Sequence, residues 1–255
     1  VSSSRRQPIQ QAPPVQRLRL RYAKRGAARF TSHRDFTRAF ERALRRAEVP
    51  MAYSSGFSPH PRISYANASP TSAATEAEYL EIGLSEVCDP AKVMATLNEV
   101  LPPGMQMLEV VEDQTASIAD ALPASAWIVD LGDPEAGEVD QSALEKAVGQ
   151  LLGSQSWEVQ RMTKSGLRTF DVRHAVVLLQ VSGPGQLRLV SLQGTPLVRP
   201  DDVVSALRAA EPALASTRPA MLTRLLQGRV VDGDEGTAAT GVLLDPFSQE
   251  PTAPW

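Results

Sequence analysis

Apolar and polar positions alternate strictly through RLRLRYAK, Arg17 to Lys24, with Leu18, Leu20 and Tyr22 on one side of an extended chain and Arg17, Arg19 and Arg21 on the other. That is the pattern of a half-buried strand. After a turn at Gly26, the pair Ser32 and Asp35 has the spacing of a capping box, which predicts the start of a helix. Phe36, Phe40, Ala43, Leu44 and Ala47 then recur every three or four residues and share one face, with Arg34, Arg38, Arg42 and Arg45 opposite. Pro50 ends the helix.

Further along, MAYS reads as a strand, the Gly- and Pro-rich SGFSPHPR as an ordered loop, and ISYAN as extended chain. AEYLEIGLSE alternates as a strand, Asp89-Pro90 starts a helix that Pro102 stops, and MQMLEVVE closes the set as another strand. The resulting order, β-α-β-β-α-β, is the split βαβ of the ferredoxin-like fold. The second half nearly repeats it. SAWIVDLG is a strand, DQSALEKAVGQLLG a helix, SWEVQRMT, HAVVLLQV and LRLVSLQ are strands, RPDDVVSALRAA is a helix, and RPAMLTRLLQGRV is an ambiguous final element.

The expected fold class is therefore α+β, with two tandem ferredoxin-like domains on antiparallel sheets. The first spans 17–112 and the second 126–231, joined by a linker at 113–125, and the second carries an extra strand around Arg168 to Arg173. The Gln-, Pro- and Ser-rich stretch 1–16 and the aperiodic stretch 232–255 read as disordered tails.

Charge changes this picture more than composition does. The net charge of −3 conceals a basic segment, residues 1–62, with fourteen Lys and Arg against three Asp and Glu, followed by 63–160, with two against seventeen. Such asymmetry points to a polyanionic partner, or to neutralisation between segments that become neighbours in the fold. The single cysteine, Cys88, supplies neither an internal disulfide nor a cysteine metal set, which fits a reducing cytoplasm. No apolar leader core and no long apolar run is visible, so neither export nor a membrane span is expected.

Candidate chemistry concentrates in the first domain. Arg17, Arg19, Arg21, Lys24, Arg42, Arg45, Arg46 and Arg62 form the expected RNA-binding set, because guanidinium groups bind phosphate bidentately. The competing reading is that Glu81 and Glu109, on flanking strands, pair with the strand arginines. Ser55, Gly56, Phe57, Ser58, Pro59, His60 and Pro61 form a ligand loop in which Gly56 permits a positive φ and two prolines hold the chain on either side of His60. His33 and His60 are the candidate acid and base for catalysis; the plainer alternative is a structural turn with His60 as a polar cap. A second basic patch comprises Arg161, Lys164, Arg168 and Arg173, with His174 beside it, and reads equally as a charged edge guarded against aggregation. Phosphate-cradling, dinucleotide, serine-hydrolase and zinc-protease motifs do not occur, and no metal or cofactor is expected.

The run RYAKRGAARFTSHRDFTRAFERALRRAEVPMAYSSGFSPHPRISYANASPTSAATEAEYLEIGL resembles the radical-SAM-linked uncharacterised domain family, in the standalone form found in actinobacteria. The resemblance maps onto Tyr22, Lys24, Phe30, Ser32, His33, Asp35, Glu41, Arg42, Arg45, Arg46, Gly56, Phe57, Pro59, Pro61 and Glu78. Arg34 stands where fused relatives commonly have leucine, and ASPTSA where they have a PLPxG-like stretch. With no cysteine triplet, the chain is not itself a radical SAM enzyme. The resemblance implies an accessory or substrate-recognition module working with a radical SAM protein; the basic segment points to RNA, tRNA included, as a partner, a ribonuclease is the other candidate enzyme partner, and no membrane is expected. Tandem ferredoxin-like domains also resemble the architecture of CRISPR repeat-processing endoribonucleases. Two alternatives remain beside RNA binding or delivery: a metal-independent RNA-cleaving or RNA-modifying enzyme using His33 and His60, and a protein-interaction module. The sequence assigns no oligomeric state.

Overall fold

In the computed structural model, which describes residues 10–112, 117–132, 139–164, 166–216, 218–231, 241–253 and 255, the alternating segment forms strand β1 (Gln16–Lys24). The helix after it, α1 (His33–Arg46), begins at the expected cap: Ser32 Oγ accepts the Asp35 N–H at 3.2 Å and donates to the Asp35 carboxylate at 2.6 Å. Then come β2 (Ile63–Ala66), β3 (Ala74–Leu84), α2 (Pro90–Val100) and β4 (Met105–Glu112). α2 starts at Asp89, whose side chain accepts the Ala91 N–H, with Pro90 in the first turn, where its missing donor costs nothing. The expected strand MAYS is reduced to two isolated bridges, at Met51 and Tyr53.

The protein is mixed α/β, dominated by mostly antiparallel sheet, and it divides into two units: Val1–Thr71 with Thr75–Ile118, and Ser72–Ala74 with Ala119–Trp255. In the first unit the strand order is β4-β1-β3-β2, all pairs antiparallel. Phe36, Phe40 and Leu44 of α1 and Val93 and Leu97 of α2 pack on Leu18, Leu20, Tyr22, Leu80 and Ile82. The Tyr22 and Phe36 rings stack at 4.3 Å. Both helices thus cover one sheet face, and strand alternation turns Arg17, Arg19 and Arg21 to the other.

The second unit contains β5 (Ala124–Asp130), α3 (Gln141–Gly153), β6 (Glu158–Thr163), β7 (Gly166–Asp171), β8 (Val176–Gly183), β9 (Gln186–Leu192), α4 (Pro200–Ala210) and β10 (Met221–Val230). Its main sheet runs β10-β5-β9-β8. The expected extra strand is β7, and it pairs only with β6, so the two form a hairpin outside the main sheet. The ambiguous last element is the strand β10, paired with β5.

The expected tails need correction. β11 (Leu243–Leu244) pairs with the end of β10, and β12 (Pro251–Thr252) pairs with β11. Leu243 is fully buried in a cluster with Ala124, Ala126, Val190 and Leu226 on the helix-free face of the second sheet, and Trp255 packs against that cluster. The chain approaches so closely here that a Cβ on Gly228 would run into the Leu244 carbonyl oxygen. At the other end, Val15 N–H bonds Leu84 O at 2.9 Å and Gln11 N–H bonds Ser55 Oγ at 2.9 Å. Residues 1–9 and 232–240 lie outside the described residues, as does 113–116 of the expected linker; beyond it Ile118 and Leu122 are buried. Among the described residues no helix is long and apolar enough to cross a membrane.

Candidate functional site

The arginines of β1 face carboxylates on the flanking strands. Register places Arg19 opposite Glu81 and Arg21 opposite Glu109, and cross-strand neighbours on one face lie close enough to pair. Arg17 and Arg19 both reach Glu81, at 3.5 and 3.4 Å, and Arg21 reaches Glu109 at 3.4 Å. Arg25 likewise grips Glu76 and donates to Gln106 at 2.6 Å. Burial separates these groups further: the Arg19 side chain is 3% exposed and Arg17 is 53% exposed. Lys24 is also buried, because it continues the side of the strand that carries Tyr22. As surface phosphate contacts, Arg19 and Lys24 are corrected by their burial.

The arginines of α1 are in the opposite condition. Arg34, Arg38, Arg42, Arg45 and Arg46 are all exposed, and none makes a hydrogen bond or ion pair among the described residues. At 100° per residue they fall within an arc of about 120°. Ahead of the helix, the Phe30 ring stands exposed with the Arg29 guanidinium 4.6 Å from its centroid. Five uncompensated guanidinium groups on one helix face form a strongly cationic, solvent-open surface suited to phosphate groups.

The ligand loop is a small hairpin-like excursion. Ser54 N–H donates to His60 O at 2.8 Å, His60 N–H donates to Ser54 Oγ at 3.0 Å, and Arg62 N–H donates to Ala52 O at 2.8 Å. Between these closures lie Ser55, Gly56, Phe57, Ser58 and Pro59. Gly56 has φ of +135°, a backbone conformation that a side chain would strain, and Phe57 is 78% exposed. Pro61 bridges back to Tyr53, and Arg62 Nε donates to Tyr53 O at 3.1 Å.

The two histidines have different partners. His33 sits edge-on to the Tyr65 ring at 4.9 Å, with Nδ1 3.2 Å from Thr37 Oγ1, whereas His60 is held through its backbone by Ser54. No hydrogen bond or ring contact joins them among the described residues. Burial pushes the Tyr65 phenol up to about 12, so it stays protonated beside His33 at neutral pH.

Where the loop meets the sheet of the first unit, a groove of about 300 Å³ opens, lined by Arg17, Ser54, Arg62, Ser64, Glu81 and Gly83 among others. Sequence reasoning missed Ser54 and Ser64 here. Their only signals are a serine beside the loop closure and another at an alternating position of β2.

The second basic patch divides in the same way as the first. Arg161 pairs with Asp202, donates to Leu197 O at 3.2 Å and lies 4.2 Å from the Phe170 ring centroid. Arg173 donates to Leu152 O and Val176 O. These two are structural, and Lys164 and Arg168 remain exposed on the β6–β7 hairpin.

These features define a mixed α/β, mostly antiparallel protein whose first unit presents an arginine-rich helix face. The model of a family described as uncharacterized protein conserved in bacteria (DUF2344) matches residues 17–200, and the chain belongs to that family. No curated protein matches the chain. Among solved structures, a chain in the crystal structure of a Cbf5-Nop10-Gar1 complex is 12% identical with a TM-score of 0.39. That match covers 86% of this chain and 50% of the other, so this chain spans about half the length of that neighbour. The crystal structure of an unknown protein from Galdieria sulphuraria is 14% identical with a TM-score of 0.22, covering 83% of this chain and 99% of that one. Overlap of this degree transfers nothing from those proteins to this one.

Proposed function

We propose that the protein is an RNA-binding or RNA-delivery accessory module that works in the cytoplasm with a modification or processing enzyme. The observation that carries this reading is the face of α1: Arg34, Arg38, Arg42, Arg45 and Arg46 are exposed and make no ion pair among the described residues, while Arg19 and Arg21 of β1 are held by carboxylates and Arg17 only at 3.5 Å. Phosphate contacts then come from the helix, and the loop from Ser55 to Pro61 reads a local feature of the RNA. Each unit is taken as a ferredoxin-like domain, a reading supported by the orders β4-β1-β3-β2 and β10-β5-β9-β8 with a helix in each crossover. The sequence resemblance supports a radical SAM protein or a ribonuclease as the enzyme served. RNA cleavage by His33 and His60 draws no support from their separate settings.

The test is binding of labelled total small RNA across a salt series, for the native chain and for an Arg42→Ser, Arg45→Ser, Arg46→Ser variant. Single-stranded RNA loses about 0.7 in log-log slope per phosphate contact. The triple variant is expected to flatten the slope by about 2 and to weaken binding at low salt. Absent binding at low salt, or a slope unchanged by the variant, overturns the proposal.

A further inference from the structure

We propose that the groove between the sheet and the ligand loop of the first unit is a binding site for a terminal phosphate group, clamped by Arg17 and Arg62. Its volume of about 300 Å³ lies at the small end of the range for ligand sites, enough for a phosphate and part of the nucleoside that carries it.

Three features distinguish this groove from an ordinary surface dip. The first is donor supply. Arg62 uses only Nε, on Tyr53 O, and both of its Nη groups are without hydrogen bonds among the described residues. Arg17 holds Glu81 at 3.5 Å, the far limit of a hydrogen bond, so little is lost when it turns to an anion. Ser54 Oγ accepts from His60 N–H, which leaves its own proton to donate, and the Ser64 hydroxyl makes no hydrogen bond among the described residues.

The second feature is charge. The lining sets two guanidinium groups, Arg17 and Arg62, beside a single carboxylate, Glu81, that already has a second partner, and two cations suit a phosphate monoester near its dianion better than a singly charged diester within a chain. Buried Arg19 stays on Glu81 at 3.4 Å, so the wall carboxylate remains compensated after Arg17 leaves it. The third is shape. A Cβ on Gly83 would lie 3.0 Å from Pro14 Cβ and 3.3 Å from Arg62 Cβ, so the bare backbone lets the proline wall and the arginine stem close on the groove.

This inference rests on the RNA reading only for the source of the phosphate, an RNA end; a small phosphorylated metabolite presents the same group. The experiment measures calorimetric binding of AMP, adenosine, and a decamer RNA with either a 5′-phosphate or a 5′-hydroxyl. The native chain is compared with Arg62→Ala, with Arg17→Gln and with the α1 triple variant, each checked for folding by thermal melting. Charge-assisted hydrogen bonds of this kind correspond to about tenfold or more in affinity. The 5′-phosphorylated decamer is expected to bind at least about tenfold tighter than the 5′-hydroxyl decamer. Arg62→Ala or Arg17→Gln removes that ratio, while the α1 variant lowers both affinities and preserves it. AMP binding without any decamer binding removes the RNA reading and leaves the groove with a metabolite as its ligand. Equal decamer affinities with no AMP binding, or a phosphate preference untouched in both groove variants, overturns the proposal.

Discussion

The two units use the same strand order and solve the same problem differently: each sheet has helices on one face only, and the other face must be made compatible with water or covered. In the second unit that face is apolar, and the chain covers it with its own segment 241–255, placing Leu243 on Ala124, Ala126, Val190 and Leu226. In the first unit the corresponding face carries the buried Tyr79 and is otherwise largely ionic, with Arg17 and Arg19 on Glu81 and Arg21 on Glu109. The difference teaches that arginines on a sheet are not by themselves a binding surface. A central strand brings carboxylates from both neighbours within reach, whereas the outer side of a helix has only its own residues three and four positions away. In α1 Asp35 and Glu41 stand three or four positions from Arg38 and Arg45 but form no ion pair with them among the described residues, and five arginines against two acids on the helix leave a cationic surface there.

The largest expected effect tests the covered face. Leu243→Ala removes a fully buried side chain and is expected to cost about 2–5 kcal/mol, read as a lower urea midpoint. An unchanged midpoint would mean that segment 241–255 does not hold the second unit together. Next comes the ionic face. Arg19→Met leaves Glu81 with only the long Arg17 contact and is expected to cost about 3 kcal/mol, much of it regained in the Arg19→Met, Glu81→Leu double variant, as for a buried pair replaced by apolar groups. A double variant no more stable than the single one would contradict the ionic description of that face.

A smaller effect separates sheet from helix. Arg21→Ser, which removes the partner of Glu109, is expected to leave the RNA salt slope within about 0.3 of native, because a compensated arginine contributes less than one phosphate contact. A loss as large as that of the α1 triple variant would erase the distinction between the two surfaces. The smallest effect is seen at high pH. The Tyr65 phenol is raised to about 12 by burial, above its ordinary value near 10, so the folded state holds its proton more tightly than the unfolded state. That contribution to stability is fully present below pH 10 and is lost as pH rises from 10 to about 12. Absorbance at 295 nm during alkaline titration is expected to show one fewer late-titrating tyrosine in Tyr65→Phe than in the native chain.

Much of the fold was legible along the chain. The alternation of RLRLRYAK, the Ser32 and Asp35 cap and the Asp89-Pro90 start all appear where their local physics requires. The α1 arginine stripe was equally legible, because helical periodicity sets the side of every residue without reference to anything distant. The candidate site was only half legible. Arg17, Arg62 and the loop were visible, but Ser54 and Ser64 join them only because loop, β2 and β3 meet. His33 and His60 suggested a pair and received separate neighbours.

Local pattern dictated which residues form strands and helices and which side each presents, since both follow from backbone period and capping within a few positions. Tertiary structure alone decided which arginines remain available. Glu81 and Glu109 lie some sixty to ninety residues beyond β1, and only the strand register carries them to Arg19 and Arg21. The same holds for segment 241–255, whose aperiodic sequence carries no local signal of order. Leu243 and Trp255 acquire their role from an apolar sheet face assembled elsewhere in the chain, because burial against distant residues is a property of the packed fold.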